Sequence, residues 1–205
     1  MSDVPTPRAM WEARYGAEAY IYGTEPNEFL RANLHVLPDG PVLCLAEGEG
    51  RNAVFLAGTG RDVQSVDLTE NGVAKTKRLA EHRGVVVDAV VADLADFDLG
   101  VEQWGSVVSI FAHMPPALRR DLHARVVTSL RPGGVFLLEA YTPDQIGRGT
   151  GGPAVPEMAM TIEGLRGELG GLEFVHALQL ERDVIEGEGH TGIGAVVQLI
   201  ARKPG

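Results

Sequence analysis

Beyond residue 41, short strand-like runs alternate with stretches of helical period. Val42 to Ala46, Asp62 to Val66, Val86 to Val91, Ser106 to Ile110 and Val135 to Ala140 read as five strands. The first and last are almost wholly apolar, as in strands covered on both faces. Between them lie helices over Arg51 to Ala57, Glu70 to about Glu81 and Pro115 to Leu130. In the third, Leu118, Leu122, Val126 and Leu130 form an i, i+4 stripe. Thr69 stands where an N-cap is needed, and Gly58-Thr59-Gly60 and Arg131-Pro132-Gly133-Gly134 break the chain between elements. This alternation predicts a parallel sheet with helices on both faces. Two long β patterns end the chain, Glu173 to Val184 and Ala195 to Arg202, and residues 186–192 join them as an antiparallel hairpin.

The first 41 residues read differently. Residues 1–9 carry Pro5 and Pro7 and are expected to be loose, with one or two helical turns over Met10 to Tyr15. A further helix should start at Pro26, capped by Thr24 or Glu25, with Phe29, Leu30, Asn33, Leu34 and Leu37 on its inner face. Residues 141–156 are rich in Gly and Pro and too long for an idle connection, which suggests a lid or substrate loop. Thr161 caps a short helix that runs through Leu169.

Composition narrows the classes. With 205 residues the chain is long enough for one domain with its own core. Its net charge, 18 − 28 = −10, argues against non-specific nucleic-acid binding, and no basic stripe appears. The single cysteine, Cys44, excludes an internal disulfide and suits a reducing, cytoplasmic setting. No apolar run is long enough for a membrane span, and no metal-ligand spacing is present among Cys44 and the six histidines.

The chemistry concentrates where strands end. Gly48-Glu49-Gly50 turns strand 1 into a helix, Asp67 follows strand 2 and Asp93 follows strand 3. In a doubly wound sheet these turns line one crevice. Asp67 suits a ribose diol, because a carboxylate accepts and hydroxyls donate. Asp93 suits an exocyclic amine, with Leu94 covering a ring face. Backbone N–H groups from Gly48 to Asn52 suit a carboxylate, and Glu47 or Glu49 an ammonium. Together they describe an amino acid joined to an adenosine. The same turn also fits G-x-G-x-x-A, so a nicotinamide or flavin enzyme stays open on the turn and Asp67 alone.

The ordered set of motifs resembles the class I S-adenosylmethionine-dependent methyltransferases, nearest the small bacterial tellurite-resistance and thiopurine-type branch. Val42 to Ala53, Asp67 and Ala92-Asp93-Leu94 resemble its first three motifs. Residues 109–115 resemble the motif after strand 4, and residues 130–134 the turn before strand 5. The segment 22–30 and the final hairpin also resemble this branch. The resemblance implies a Rossmann-like doubly wound seven-stranded α/β sheet, order 3-2-1-4-5-7-6, with strand 7 antiparallel. It implies S-adenosylmethionine as cofactor, with Glu47, Gly48, Glu49, Gly50, Asn52, Asp67, Leu68, Asp93, Leu94 and Phe111 around it. Two departures stand out: Cys44 replaces a usual acid and Ala46 a usual glycine. Glu47 is the candidate to replace the missing acid.

The expected activity is methyl transfer to a small molecule, with a thiol or chalcogen oxyanion suggested by the resemblance. Residues 1–41 would form a helical lid on the domain 42–205. His113, after strand 4, reads either as a base or as a helix cap. Tyr22 and Tyr20 read as lid or surface residues, Tyr141 as pocket lining or core, and Arg148 as an anion-attracting or simply solvated group. His190 reads more simply as a turn residue. Two other functions stay open: an NAD(P)-dependent oxidoreductase, and a non-catalytic S-adenosylmethionine-binding module.

Overall fold

The computed structural model describes residues 5–205. Seven strands form one sheet of order β3-β2-β1-β4-β5-β7-β6. They are β1 (Val42–Leu45), β2 (Val63–Asp67), β3 (Asp88–Val91), β4 (Trp104–Ile110), β5 (Leu130–Tyr141), β6 (Glu173–Glu186) and β7 (His190–Arg202). β1 to β5 run parallel, and β7 pairs antiparallel with both β5 and β6. The helices are α1 (Pro7–Tyr15), α2 (Glu28–Ala32), α3 (Arg51–Gly58), α4 (Glu70–Arg83), α5 (Pro116–Ser129) and α6 (Ile162–Glu168). Fold class and strand order are those the sequence implied.

Period two explains the two-sided core. Leu43 and Leu45 pack into one layer with Leu122 of α5 and Leu165 of α6. Val42 and Cys44, one position over, pack into the other with Val54 of α3, Leu79 of α4 and Phe29 of α2. Each such fully buried aliphatic side chain contributes about 1.5–3 kcal/mol. Cys44 is therefore a core residue, wholly buried.

Caps fix the helix starts. Thr69 Oγ1 accepts from Gly72 N (3.2 Å) and Thr161 Oγ1 from Gly164 N (3.1 Å), as expected. The α2 cap is different: Asn27, rather than Thr24 or Glu25, accepts from Leu30 N at 3.0 Å. The α1 helix also begins earlier than expected, at Pro7, behind a Thr6 cap that accepts from Ala9 N. The hairpin is tighter too. β6 ends at Glu186 and β7 begins at His190, opposite it, so residues 187–189 alone make the turn. Parallel strands bring the loops after β1, β2, β4 and β5 to one end of the sheet, and the hairpin tip reaches that end as well.

Candidate active site

The loop after β1 depends on left-handed backbone. Gly48 (φ 65°) and Gly50 (φ 92°) supply it, and so does Ala46 at φ 47°. Close packing also excludes a side chain at both glycines. A Cβ on Gly48 would lie 2.6 Å from the Tyr15 hydroxyl, and one on Gly50 would lie 2.7 Å from Thr76 Cα. Glu47 turns back to cap α3, accepting from Asn52 N (2.8 Å) and Ala53 N (2.9 Å). Burial pushes its carboxyl up to about 7. The expectation that the amides near Asn52 receive a ligand carboxylate is corrected here: Glu47 already fills that seat. Asn52 spends its side-chain oxygen on Asn27 N (2.9 Å).

Glu49 needs a similar correction. Its Oε2 accepts from Ile21 N (2.9 Å) and Tyr22 N (3.3 Å), and its Oε1 pairs with Lys75 Nζ at 2.7 Å. Lys75 also donates to Ala19 O (2.7 Å), and the Tyr20 hydroxyl donates to Lys75 O (3.1 Å). Glu49 therefore holds the segment 19–22 against the domain. It is not aimed at a ligand ammonium.

Asp67 lies where the sequence put it, buried at the tip of β2. One oxygen accepts from Thr69 N (2.9 Å) and Thr69 Oγ1 (2.6 Å), the other from Gly48 N (2.8 Å). The same carboxylate thus ties the glycine loop to β2. A carboxylate has about four acceptor positions, so capacity for one hydroxyl remains. Leu68, beside it, is half-buried. Asp93 is exposed and accepts from Ala95 N (2.9 Å) through one oxygen, leaving the other free. Leu94 is buried in the core cluster that holds Leu99 and Val107, where its apolar side chain gains most.

The loops after β4 and β5 meet the hairpin in an aromatic cluster. Phe111, held at φ 52°, stacks on Tyr141 with ring centroids 4.5 Å apart. His190 lies 4.7 Å from Phe111, 5.3 Å from Tyr141 and 4.5 Å from Tyr22. His113 belongs to the edge of this cluster, but its Nε2 accepts from Tyr141 N at 3.0 Å. Burial lowers its pKa to about 3. That ring pins β5 and has spent the nitrogen a base would use. Arg148 points elsewhere, pairing with Glu181 on β6 at 2.5 Å. His190, read from the sequence as a turn residue, is instead the first residue of β7 and central to the cluster.

Beneath the cluster lies a buried polar network that local sequence patterns did not reveal. Asn27 donates to Glu139 (2.5 Å) and Glu186 (2.8 Å). Arg51 pairs with Glu186, Arg182 with Glu139 and Glu186, and Gln198 donates to Glu139 at 2.7 Å. One signal was available: Glu139 is a charge inside an apolar strand, and a buried charge requires partners.

The crevice fits an adenosyl amino acid in part. Asp67 has spare acceptor capacity, Asp93 a free oxygen, and the Gly48 backbone is bare of side chain. Tyr15 of α1 lies over Gly48 and stacks on Trp11 (5.4 Å), so α1 roofs this part of the crevice. Glu12 anchors the roof by accepting from Glu70 N and Asn71 N at the start of α4, both at 3.0 Å. Among the described residues no group of His, Cys, Asp and Glu is placed to hold a metal ion.

Known proteins add to this geometry. Residues 42–134 match the model of a family described as a methyltransferase domain. No curated protein matches the chain. Among solved structures, the chain is similar to a protein studied for the conversion of a disulfide bond into a thioacetal group during echinomycin biosynthesis. The TM-score is 0.77 at 18% identity, over 95% of this chain and 91% of that one. It is similar to TehB from Haemophilus influenzae (TM-score 0.69, 19% identity), over 94% of this chain and 65% of that one. A SAM-dependent methyltransferase from Methanosarcina mazei matches with TM-score 0.63 and 18% identity, over 83% and 96% of the two chains. At these identities the likeness is one of fold.

Proposed function

We propose that this chain, whose residues 42–134 match a methyltransferase domain and whose strand order is the class I one, is an S-adenosylmethionine-dependent methyltransferase with a small-molecule acceptor met at the Phe111–Tyr141–His190 cluster. One observation carries this reading. The aromatic cluster sits past β4 and β5, beside the glycine loop and Asp67, so one end of the sheet offers both a nucleoside seat and an apolar second seat. Asp67 would hold the ribose and Asp93 the adenine amine, with the methionine end passing along the side-chain-free face of Gly48. Residues 7–22 would form the lid, with Tyr15 and Tyr22 as its inner surface. When bound, the cofactor supplies an electrophilic sulfonium methyl, which needs alignment with a nucleophile more than it needs acid.

The chain's own residues provide that alignment. Phe111 and Tyr141 wall the acceptor seat, Tyr22 closes it, and the packed rings exclude water. A small acceptor suits a seat closed by packed rings, and the net charge of −10 disfavours nucleic acid. Thiols and chalcogen oxyanions are the first acceptors to try, because such soft nucleophiles react readily at a sulfonium carbon. A reducing cytoplasm suits the buried thiol of Cys44, and no helix among the described residues is long and apolar enough to cross a membrane.

Calorimetry tests the cofactor seat. S-adenosylhomocysteine should bind the wild type, and Asp67→Ala should weaken binding roughly ten- to hundredfold, the cost of a lost charged hydrogen bond. Unchanged affinity would mean the ribose is held elsewhere. Tight binding of NADH in place of S-adenosylhomocysteine would sink the whole reading.

A further inference from the structure

Four buried side-chain polar atoms among the described residues have no hydrogen-bond partner: Ser106 Oγ, His176 Nε2, Tyr141 Oη and His190 Nδ1. The last two belong to rings packed perpendicular, 5.3 Å apart, in the aromatic cluster. An unsatisfied buried polar group is destabilising until a partner reaches it. Two such atoms within one cluster of rings, each without a protein partner, describe a binding point. Glycines close the cluster on two further sides. A Cβ on Gly151 would lie 2.6 Å from the His190 ring, and one on Gly189 would collide with the Tyr22 ring. The Gly-rich loop and the hairpin tip therefore approach these rings as bare backbone.

We propose that His190 Nδ1 receives the acceptor's proton, that the Tyr141 hydroxyl orients the same atom, and that the acceptor is a small planar molecule bearing a hydroxyl or thiol. The inference rests on the methyltransferase reading above. The acceptor's lone pair forms the bond to the methyl carbon, and the carbon–sulfur bond breaks with its pair neutralising the sulfonium. The O–H or S–H bond then breaks, its pair returns to oxygen or sulfur, and the proton passes to Nδ1. One positive charge is consumed at sulfur and one appears on the imidazole.

The surroundings of His190 set its behaviour. Arg14 of α1, Arg51 of α3 and Arg182 of β6 face it, as do Glu186 of β6, the His113 imidazole and the rings of Tyr22 and Tyr141. Burial first, then the three arginines, lower its pKa to about 3. The ring thus stays unprotonated and ready across the physiological range. A weak base suffices because an O–H or S–H becomes far more acidic once carbon bonds to the heteroatom. Glu186 Oε2, 4.0 Å from Nδ1, faces the charge that then forms. His113 cannot substitute, since its Nε2 holds the Tyr141 amide.

The test compares His190→Asn with the wild type, both loaded with S-adenosylmethionine. Asparagine keeps a polar atom near the position of Nδ1 and loses its basicity. Phenol and an alkylthiol are protonated acceptors, and pentafluorothiophenol is ionised at neutral pH. The variant should lose kcat on the protonated acceptors about 10²-fold more than on the ionised one. In the wild type, imidazole nitrogen resonances of the S-adenosylhomocysteine complex should show His190 Nδ1 shifting when phenol is added. Equal losses on both acceptor types, full rescue by asparagine, an unmoved Nδ1 resonance, or no transfer to any protic acceptor despite bound S-adenosylhomocysteine would overturn the proposal. Failure to bind S-adenosylhomocysteine at all would overturn the reading beneath it.

Discussion

Ala46 shows what one methyl group costs in the wrong backbone region. Its φ of 47° is left-handed, where an L side chain is disfavoured by about 1–2 kcal/mol. Glycine there would relieve the strain but raise the entropy of the unfolded chain by about 0.4–1 kcal/mol. Ala46→Gly should therefore stabilise the protein by about 0.5–1 kcal/mol, read as a higher urea midpoint at unchanged slope. A lower midpoint would mean the loop is not strained at Ala46. Glu47, one residue on, gives a pH signature. Its carboxyl titrates at about 7 in the fold against an ordinary value of 4.5. The unfolded chain releases that proton first, so this group's contribution falls as pH rises between those two values. The loss is on the order of 3 kcal/mol. Glu47→Gln keeps a carbonyl for the α3 amides and should remove that part of the slope between pH 4.5 and about pH 7 in denaturant melts. Parallel curves for the two proteins would place Glu47 in water.

Among the elements, the buried network does the tethering. Asn27 at the α2 cap, Arg51 in α3, Glu139 in β5 and Arg182 and Glu186 in β6 share one set of hydrogen bonds. Removing one partner strands the other's charge in the interior. Arg182→Leu should cost about 3–5 kcal/mol. In a double-mutant cycle with Glu139→Gln, the pair should cost clearly less than the sum of the singles. Additive costs would show that Glu139 and Arg182 are independent. Such ties explain which elements the sequence revealed. The caps at Thr69 and Thr161, the Gly48 turn and the stripe of α5 depend on residues within one or two turns, and local pattern reports them. The Asn27 cap was obscured because Thr24 and Glu25 offer the same local chemistry, and only Glu139, 112 positions away, distinguishes them. Glu47 and Glu49 were recognised as special acids, yet their partners, the α3 amides and the 19–22 segment, depend on how the loop folds back. His190 was misplaced because a hairpin's register follows from pairing, and one end of β7 lay inside what read as a loop.

For the whole molecule, the sheet order was legible because alternating strand and helix patterns leave few topologies open and the motifs fixed one of them. The proposed acceptor seat was less so. It is assembled from residues 22, 111, 141 and 190, four separate segments that no periodicity connects. The segment bearing Tyr22 has a consequence for turnover. Glu49 grips its backbone from within the glycine loop, while the Tyr22 ring rests on His190. If those rings are the acceptor seat, cofactor exchange and acceptor exchange share one gate. If each cycle must swing that gate, its motion through solvent meters the rate: kcat should fall in near inverse proportion to added viscogen. Glu49→Gln, which loosens the latch, should blunt that dependence while the spent cofactor leaves faster. A kcat indifferent to viscosity in the wild type would mean that the two ligands come and go by separate doors.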